Sequence, residues 1–298
     1  MISVIVCTYN RDKYIYQCLS NLAQNAQNID WEIILINNNS TDNTHSKCEQ
    51  FAKDYPNVKF FYFIEKNPGL SHARNRGIKE AHGDWFVFID DDAMVKKTYL
   101  KNLDFHLKKH TEAGAFGGTI EPFFEGEKPT WLSKWSMGFI STINMGEKVK
   151  LFTKEKYPIG ANMGISRKTI EKIGLFNTTL GRTKKLLLGG EEKDIFMRIS
   201  KENIPIYYFP NIDVKHCIPP SRTTAEHIKK LGYGVGVSER LRTTAIGKTQ
   251  YVKRLVSEII KWGGTLTLWF FFTITFQVSK GNILIIFRHN VSKGLLQI

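Results

Sequence analysis

Four short apolar runs recur within the first ninety positions: "SVIVCT" (3–8), "WEIILIN" (31–37), "VKFFYFI" (58–64) and "WFVFI" (85–89). Each is rich in β-branched or aromatic residues and stops at polar or turn-forming ones, which predicts a buried strand ending in a loop. The segments between them have a different period. "KYIYQCLSNLAQ" (13–24) places apolar residues at 15, 18, 19 and 22, one face of a helix. "THSKCEQFAKDY" reads as a helix after the cap and turn cluster "NNNSTDNT", and "LSHARNRGIKEAHG" (70–83) as one closed by a C-cap at Gly83. Strand and helix alternate four times. Strands apolar throughout are covered on both faces, so the pattern predicts parallel βαβ units and an α/β fold.

Beyond residue 95 the alternation loosens. The sequence predicts a helix over about 98–110, a turn at Gly117-Gly118 leading into "TIEPFF", and loop with short elements over 125–158. "YPIGANMGISRKTIEKIGLF" holds a strand and then a helix from about Lys168. "LLLGGEEKDIFMRISKEN" holds a double glycine and acidic residues opening a helix, and "IPIYYFP" is a last strand. The expected organisation is a domain over 1–222, divided into halves at 1–118 and 119–222, followed by a helical region over 223–298. That last region is basic: residues 215–298 hold 13 Lys/Arg against 3 Asp/Glu, whereas residues 1–214 hold 29 against 25. At 42% hydrophobic residues, disorder is excluded as a description of the chain. The four cysteines (Cys7, Cys18, Cys48, Cys217) show no CxxC spacing, so neither a zinc site nor a disulfide framework is indicated. They read as reduced thiols, and "MISVIVCTYN" enters a strand without a secretory pattern, so the expected location is the cytoplasm.

Ligands of open parallel sheets bind beyond the carboxyl ends of the strands. Thr8 to Arg11, Asn37 to Asp42 and Asp90 to Asp92 each follow a strand, so they are expected to share one sheet edge. Three aspartates in a row are commonly a solvated turn. Here they follow Trp85–Ile89, and carboxylates crowded at the end of an interior strand either raise a pKa or demand a cation. A divalent ion with oxygen ligands relieves the repulsion, and Asp90 and Asp92, two apart, would point the same way. The second acidic group, Glu191, Glu192 and Asp194, is either a set of helix-start acids favoured by the macrodipole or a general base on a rigid helix start.

The order of these segments resembles family-2 glycosyltransferases, nucleotide-sugar enzymes with the GT-A fold (a Rossmann-like, mostly parallel sheet flanked by helices). "SVIVCTYNR", "EIILINNNSTD", "GLSHARNRGI…AHGDWFVFIDDDA", "YPIGANMGISRKTIEKIGLF", "GGEEKDIFMRI" and "DVKHCIPPSRTT…YGVG" are similar to that family's motifs, in register over about residues 2–235. The resemblance implies an inverting transfer from a nucleoside-diphosphate sugar to a glycan or lipid-linked acceptor, with Mn²⁺ or Mg²⁺. It places Thr8, Tyr9, Arg11, Asn37, Asp42 and Asp91 around the nucleotide, and Arg74 near the base or the diphosphate. Asp90 and Asp92 fall at the ribose and metal. Glu192 falls on the catalytic base, with Glu191 a rival and Asp194 beside them. Gly160, Ala161 and Asn162 fall on the sugar and acceptor side. Where many members have an aspartate reading uracil this chain has Asn37, so UDP is preferred over GDP without the usual charge-assisted contact. His216 is either packed or a metal ligand from the far side of the site. Trp131 and Trp135 are either core or a sugar-stacking platform.

In the tail, lysines and arginines at 229, 230, 240, 242, 248, 253, 254 and 261 interleave with apolar positions, and a 17-residue apolar stretch runs from Trp262 to Val278. It is a buried helix, a minimal bilayer span, or a helix lying on an anionic cytoplasmic leaflet. A nucleic-acid binder is disfavoured because the positive charge is confined to this tail. A phosphoryl-transfer enzyme is disfavoured because no GxxxxGK[ST] is present.

Overall fold

A computed structural model of the chain describes residues 1–25, 29–153, 156–182 and 188–297. They form two compact units. The first comprises Met1–Phe123, Thr142–Thr178 and Glu192–Cys217; the second comprises Phe124–Ser141, Thr179–Glu191 and Ile218–Ile298. Segments 124–141 and 179–191 therefore join the helical tail, although they lie inside the stretch read from the sequence as one domain.

In the first unit the expected alternation is present: β1 (Ile2–Thr8), α1 (Ile15–Ala23), β2 (Trp31–Asn37), α2 (Thr44–Asp54), β3 (Phe60–Ile64), α3 (Leu70–Glu80) and β4 (Trp85–Asp90). After a turn at Asp91-Asp92 come β5 (Ala93–Val95), α4 (Tyr99–Lys109), β6 (Ala115–Phe124), β7 (Lys150–Leu151), β8 (Asn162–Ser166), α5 (Arg167–Ile173), α6 (Glu191–Lys201) and β9 (Ile206–Ile218). The sheet order is β3-β2-β1-β4-β8-β6-β9-β5, with β7 paired to β9. β3, β2, β1 and β4 are parallel, while β8 runs antiparallel to β4 and to β6, and β9 antiparallel to β5 and β7. Alternate residues feed two layers. Val4, Val6, Ile33, Leu35, Val87 and Ile89 enter one core; Ile5, Ile34, Ile36, Phe86 and Phe88 enter the other. Covering on both sides is what the continuous apolar runs require.

Three details depart from the sequence reading. α3 ends at Glu80, and its C-cap Ala81 is extended, so Gly83 is not the cap. The Arg167 side chain instead donates to the carbonyls of Ala81 (2.7 Å) and Gly83 (3.0 Å). Gly117-Gly118 lie inside β6, not in a turn. A Cβ at Gly118 would stand 2.2 Å from the Ile212 carbonyl oxygen and 2.3 Å from Asn162 Nδ2. The glycine is there for close approach of chains. Finally, β9 extends well past "IPIYYFP" and carries Asp213 and His216 within it.

The second unit holds α7 (Ala225–Ile246), α8 (Lys248–Ile274) and α9 (Val278–Leu296). α7 and α9 cross closely at glycines: a Cβ on Gly236 would meet the Val291 carbonyl oxygen at 2.1 Å, and one on Gly294 the Tyr233 carbonyl oxygen at 2.1 Å. Trp131, Ile140, Ile218, Ile228, Phe272, Ile283 and Leu284 form its apolar cluster. Among the described residues no helix is long and apolar enough to cross a membrane, which removes the spanning reading of 262–278.

Two outcomes follow from these contacts. Gly118→Ala is expected to lower stability by about 1–3 kcal/mol in urea unfolding, because backbone and a buried amide must move. His227, at the start of α7, is held down to about pKa 4 by burial and by the nearby cations of Arg222, Arg182 and Lys230. The unfolded chain therefore binds the proton first, so stability falls as pH drops from about 6.5 toward 4. His227→Gln is expected to flatten that slope in melting curves.

Candidate active site

The parallel register aligns the strand ends: Thr8 lies beside Asn37, and Cys7 beside Asp90. The loops that follow are tied to each other. Asn10, with φ +52°, accepts from the Thr41 amide (2.8 Å) and donates its own amide to Ser40 Oγ (2.9 Å). Asp42 accepts from the amides of Asp12 (3.1 Å) and Thr44 (3.0 Å). Burial opposes its charge, yet these hydrogen bonds prevail and keep its carboxyl below the usual value. Asp42 thus fixes the loops around Arg11. Asn37 is buried, its amide donating to the Tyr62 hydroxyl (2.7 Å) and its oxygen accepting from the Ser40 amide (2.8 Å).

The Arg11 loop faces the aspartate turn. Arg11 Nε is 3.7 Å from Asp91 Oδ1, and Arg11 Nη2 is 3.5 Å from Asp92 Oδ2. Burial pushes the Asp91 carboxyl up to about 7 against the pull of the Arg11 guanidinium, with the Asp92 charge adding to the rise. Asp92 and His216 are both buried, and His216 Nε2 is 3.1 Å from Asp92 Oδ1. Pairing of β5 with β9 opposes Ala93 and His216, which brings that imidazole to the turn. Asp90, Asp92 and His216 each offer a ligand atom, all within 4.8 Å of one another. Two carboxylates and one imidazole are a mixed oxygen and nitrogen donor set, which suits a divalent transition ion such as Mn²⁺ better than Mg²⁺, whose preference is for oxygen alone. The residues fit such an ion.

On the other side of Asp90 stands Arg74, 2% exposed, with its guanidinium over the rings of Phe88 (5.8 Å) and Phe176 (5.4 Å). Its Nη2 is 4.0 Å from Asp90 Oδ1 and 3.2 Å from Glu192 Oε1. The Gly160 amide donates to the same Glu192 oxygen at 2.9 Å. Glu192, in the first turn of α6, is thus held by a backbone N–H and a buried cation that also approaches the metal-type group. Asn75 fastens Phe176 through two 2.9 Å hydrogen bonds to its backbone, which steadies one of the rings against Arg74.

The predicted residues thus divide. Arg11, Asp90, Asp91, Asp92, His216, Arg74 and Glu192 form one connected group. Glu191 is buried and falls in the second unit; neighbours on a helix point roughly 100° apart. Asp194 is paired with Arg198 at 3.0 Å, and Arg198 donates onward to carbonyls at the end of α5. Of Gly160, Ala161 and Asn162, Gly160 donates to Glu192. Asn162 is fully buried, accepting from the Tyr99 hydroxyl (2.7 Å) and donating to the carbonyls of Thr119 (3.1 Å) and Ile212 (2.6 Å). Trp131 packs in the helical unit with its indole N–H on the Thr223 carbonyl, whereas Trp135 is exposed. Phe176 and Asn75 were not singled out from sequence; nothing in their spacing marks them.

An open sheet with carboxylates and arginines beyond its parallel strand ends, and an acidic helix start facing them, is the plan of a GT-A glycosyltransferase. The sequence model described as "Glycosyl transferase family 2" matches residues 3–174, and the chain belongs to that family. It is 23% identical to glucosyl-dolichyl phosphate glucuronosyltransferase of Haloferax volcanii, over 80% of this chain and 76% of that protein. It is also 34% identical to glycosyltransferase GlyA of Streptococcus pneumoniae, over 34% of this chain and only 14% of GlyA. Among solved structures, the mannosyltransferase PcManGT of Pyrobaculum calidifontis, in complex with GDP-Man and Mn²⁺, aligns with a TM-score of 0.65. Identity there is 17%, with 99% of this chain and 87% of that one covered, so the likeness is one of fold.

Gly160 gives a direct check of the geometry. A Cβ there would stand 2.0 Å from Arg74 Nη2 and 2.2 Å from Glu192 Oε1. Gly160→Ala is expected to break the Arg74–Glu192 contact and to cost about 1–3 kcal/mol of stability. A variant as stable as the parent, with the pair unmoved in a crystal structure, would contradict it.

Proposed function

We propose that the chain transfers a sugar, with inversion, from a nucleoside-diphosphate sugar to a hydroxyl of a glycan or lipid-linked acceptor. Its setting is cell-surface polysaccharide synthesis at the inner face of the cytoplasmic membrane. The observation that carries the reading is the joined pair of groups: a positioned Glu192 carboxylate, linked through Arg74 to the Asp90–Asp92–His216 cluster. The relatives' names support the acceptor class, since the Haloferax volcanii protein is named for a dolichyl-phosphate-linked sugar. Four free cysteines fit a reducing compartment. UDP is preferred over GDP on the resemblance of "INNNSTD" to the family's nucleotide-side motif; Asn37 shapes that loop by holding Tyr62 and Ser40.

In this reading Glu192 accepts the proton of the acceptor hydroxyl as that oxygen attacks the anomeric carbon. The bond to the nucleoside diphosphate breaks on the opposite face, and the diphosphate leaves as an anion. Gly160 N–H and Arg74 fix the carboxylate's direction, so the proton's destination is set before the acceptor arrives. Asp90, Asp92 and His216 would hold a divalent ion, which would supply Lewis-acid neutralisation of the departing charge. Arg11 balances the remaining carboxylates of the turn and places positive charge on the nucleotide side.

The test is hydrolysis of a panel of nucleotide sugars with Mn²⁺ or Mg²⁺, run beside Asp92→Ala and Glu192→Gln. Removing a general base is expected to cost about 10²–10⁴-fold in kcat while the variant melts as the parent does. Asp92→Ala and treatment with a chelator are each expected to abolish turnover. Full activity of Asp92→Ala in chelator sinks the metal assignment.

A further inference from the structure

Helix α8 is built the wrong way round for water. Its buried positions are Arg254, Glu258, Thr265 and Phe272, three of them polar or charged. These side chains are partnered inside the unit. Arg254 Nε is 3.0 Å from Glu239 Oε2, and its Nη1 is 2.8 Å from Glu258 Oε2. Arg242 joins Glu239 at 3.1 Å and Arg288 joins Glu258 at 3.2 Å. The opposite face is apolar and exposed: Val256, Ile259, Ile260, Leu266, Phe270 and Phe271 are each at least half exposed, Ile259 to 72%. With Val252 and Ile274 they recur at spacings of three and four, with one step of seven across Gly263, as an apolar stripe along the helix. A soluble helix puts its apolar stripe on the core. Here the core side is ionic at Arg254 and Glu258, Leu268 and Phe272 meet the apolar cluster further along, and the stripe faces out.

The turn after α8 repeats the message. Phe276 is 94% exposed and has φ +56°, a conformation that favours glycine or asparagine. Neither packing nor backbone geometry calls for an aromatic ring there.

We propose that this face of α8, with the Phe276 turn, is a docking surface for an anionic lipid bilayer, lying in the interface plane without spanning it. Charge selects the occupant. Residues 248–297 contain seven Lys/Arg and a single acid, Glu258; Arg254 and Arg288 pair with acids inside the unit, and the other five cations are lysines. Lys248 and Lys253 are exposed at the start of the stripe and Lys293 is exposed on α9. A second copy of the chain would oppose like charges, whereas anionic headgroups match them and the acyl boundary accepts the aromatic stripe. The absence of a spanning helix among the described residues agrees with a surface mode. The surface deepens the proposed function, for which it supplies the lipid contact, yet binding can be scored with no donor or acceptor present.

The experiment is flotation of the full chain with vesicles of phosphatidylcholine containing phosphatidylglycerol, and with pure phosphatidylcholine. Binding to the anionic vesicles is expected to be stronger by about tenfold or more. Combined Phe270→Ser, Phe271→Ser and Phe276→Gly should weaken it by a similar factor with no drop in melting temperature, since all three side chains are exposed. Lys248→Glu with Lys253→Glu should erase the preference for anionic vesicles. Three results overturn the proposal: wild-type chain left at the bottom of the gradient, binding that the phenylalanine changes leave intact, or a vesicle-free dimer that those changes dissociate. Loss of vesicle binding with donor hydrolysis intact would fault the surface and spare the enzyme assignment. The reverse result would do the opposite.

Discussion

The site depends on a charge imbalance that the fold imposes at the end of β4. Asp90, Asp91, Asp92 and Glu192 bring four carboxyl groups together, against the permanent cations Arg11 and Arg74. Two like charges about 4 Å apart repel by roughly 4 kcal/mol at an effective dielectric of 20. No rearrangement of two guanidinium groups removes that for all four acids. Burial first, and the Asp92 and Asp90 charges after it, push the Asp91 carboxyl up to about 7 against the pull of Arg11, which favours a bound proton there. Asp90, Asp92 and His216 gather in a geometry that suits a divalent cation. A parallel sheet is what makes the crowding tolerable, because it delivers three strand ends and their loops to one edge and fixes them there.

Arg74 makes the two halves of the site one mechanical object. Buried between aromatic rings, it has little freedom to follow either carboxylate away from the other. An arginine suits this post better than a lysine, since its planar guanidinium both stacks on Phe176 and presents Nη2 between two acids. Glycine at 160 is the counterpart: it lets the backbone amide reach Glu192 where any side chain would collide.

How far the sequence went depended on whether a feature was local. The four parallel strands were legible because residues covered on both faces must be apolar throughout, and composition over five to seven positions suffices to show that. The acidic turn was legible because three charges after such a run contradict their surroundings. What was hidden was tertiary. Gly117-Gly118 read as a turn, since close approach of β6 to β9 and β8 leaves no mark except the glycines themselves. Asn162 looked available for a ligand, yet Tyr99, Thr119 and Ile212 use up its amide. Glu191 and Glu192 were indistinguishable as letters, and a helical step of one residue separates them into different surroundings.

The tail shows the same limit from the other direction. Interleaved basic and apolar positions left open whether 262–278 was core, span or surface, since hydropathy averages around a helix and discards direction. The partners of the charges favour the surface reading. Once Arg254 and Glu258 are satisfied by Glu239 and Arg288 within the helical unit, the basic residues of α8 are no longer a reason to call its inner side wet. Leu268 and Phe272 pack on the apolar cluster, while Phe270 and Phe271 lie on the outer side. Buried ion networks of this kind add little net stability compared with a well-packed apolar core. Their presence inside a three-helix unit, with Phe270, Phe271 and Phe276 outside and Phe272 within, agrees with the proposed apolar medium on the outer face.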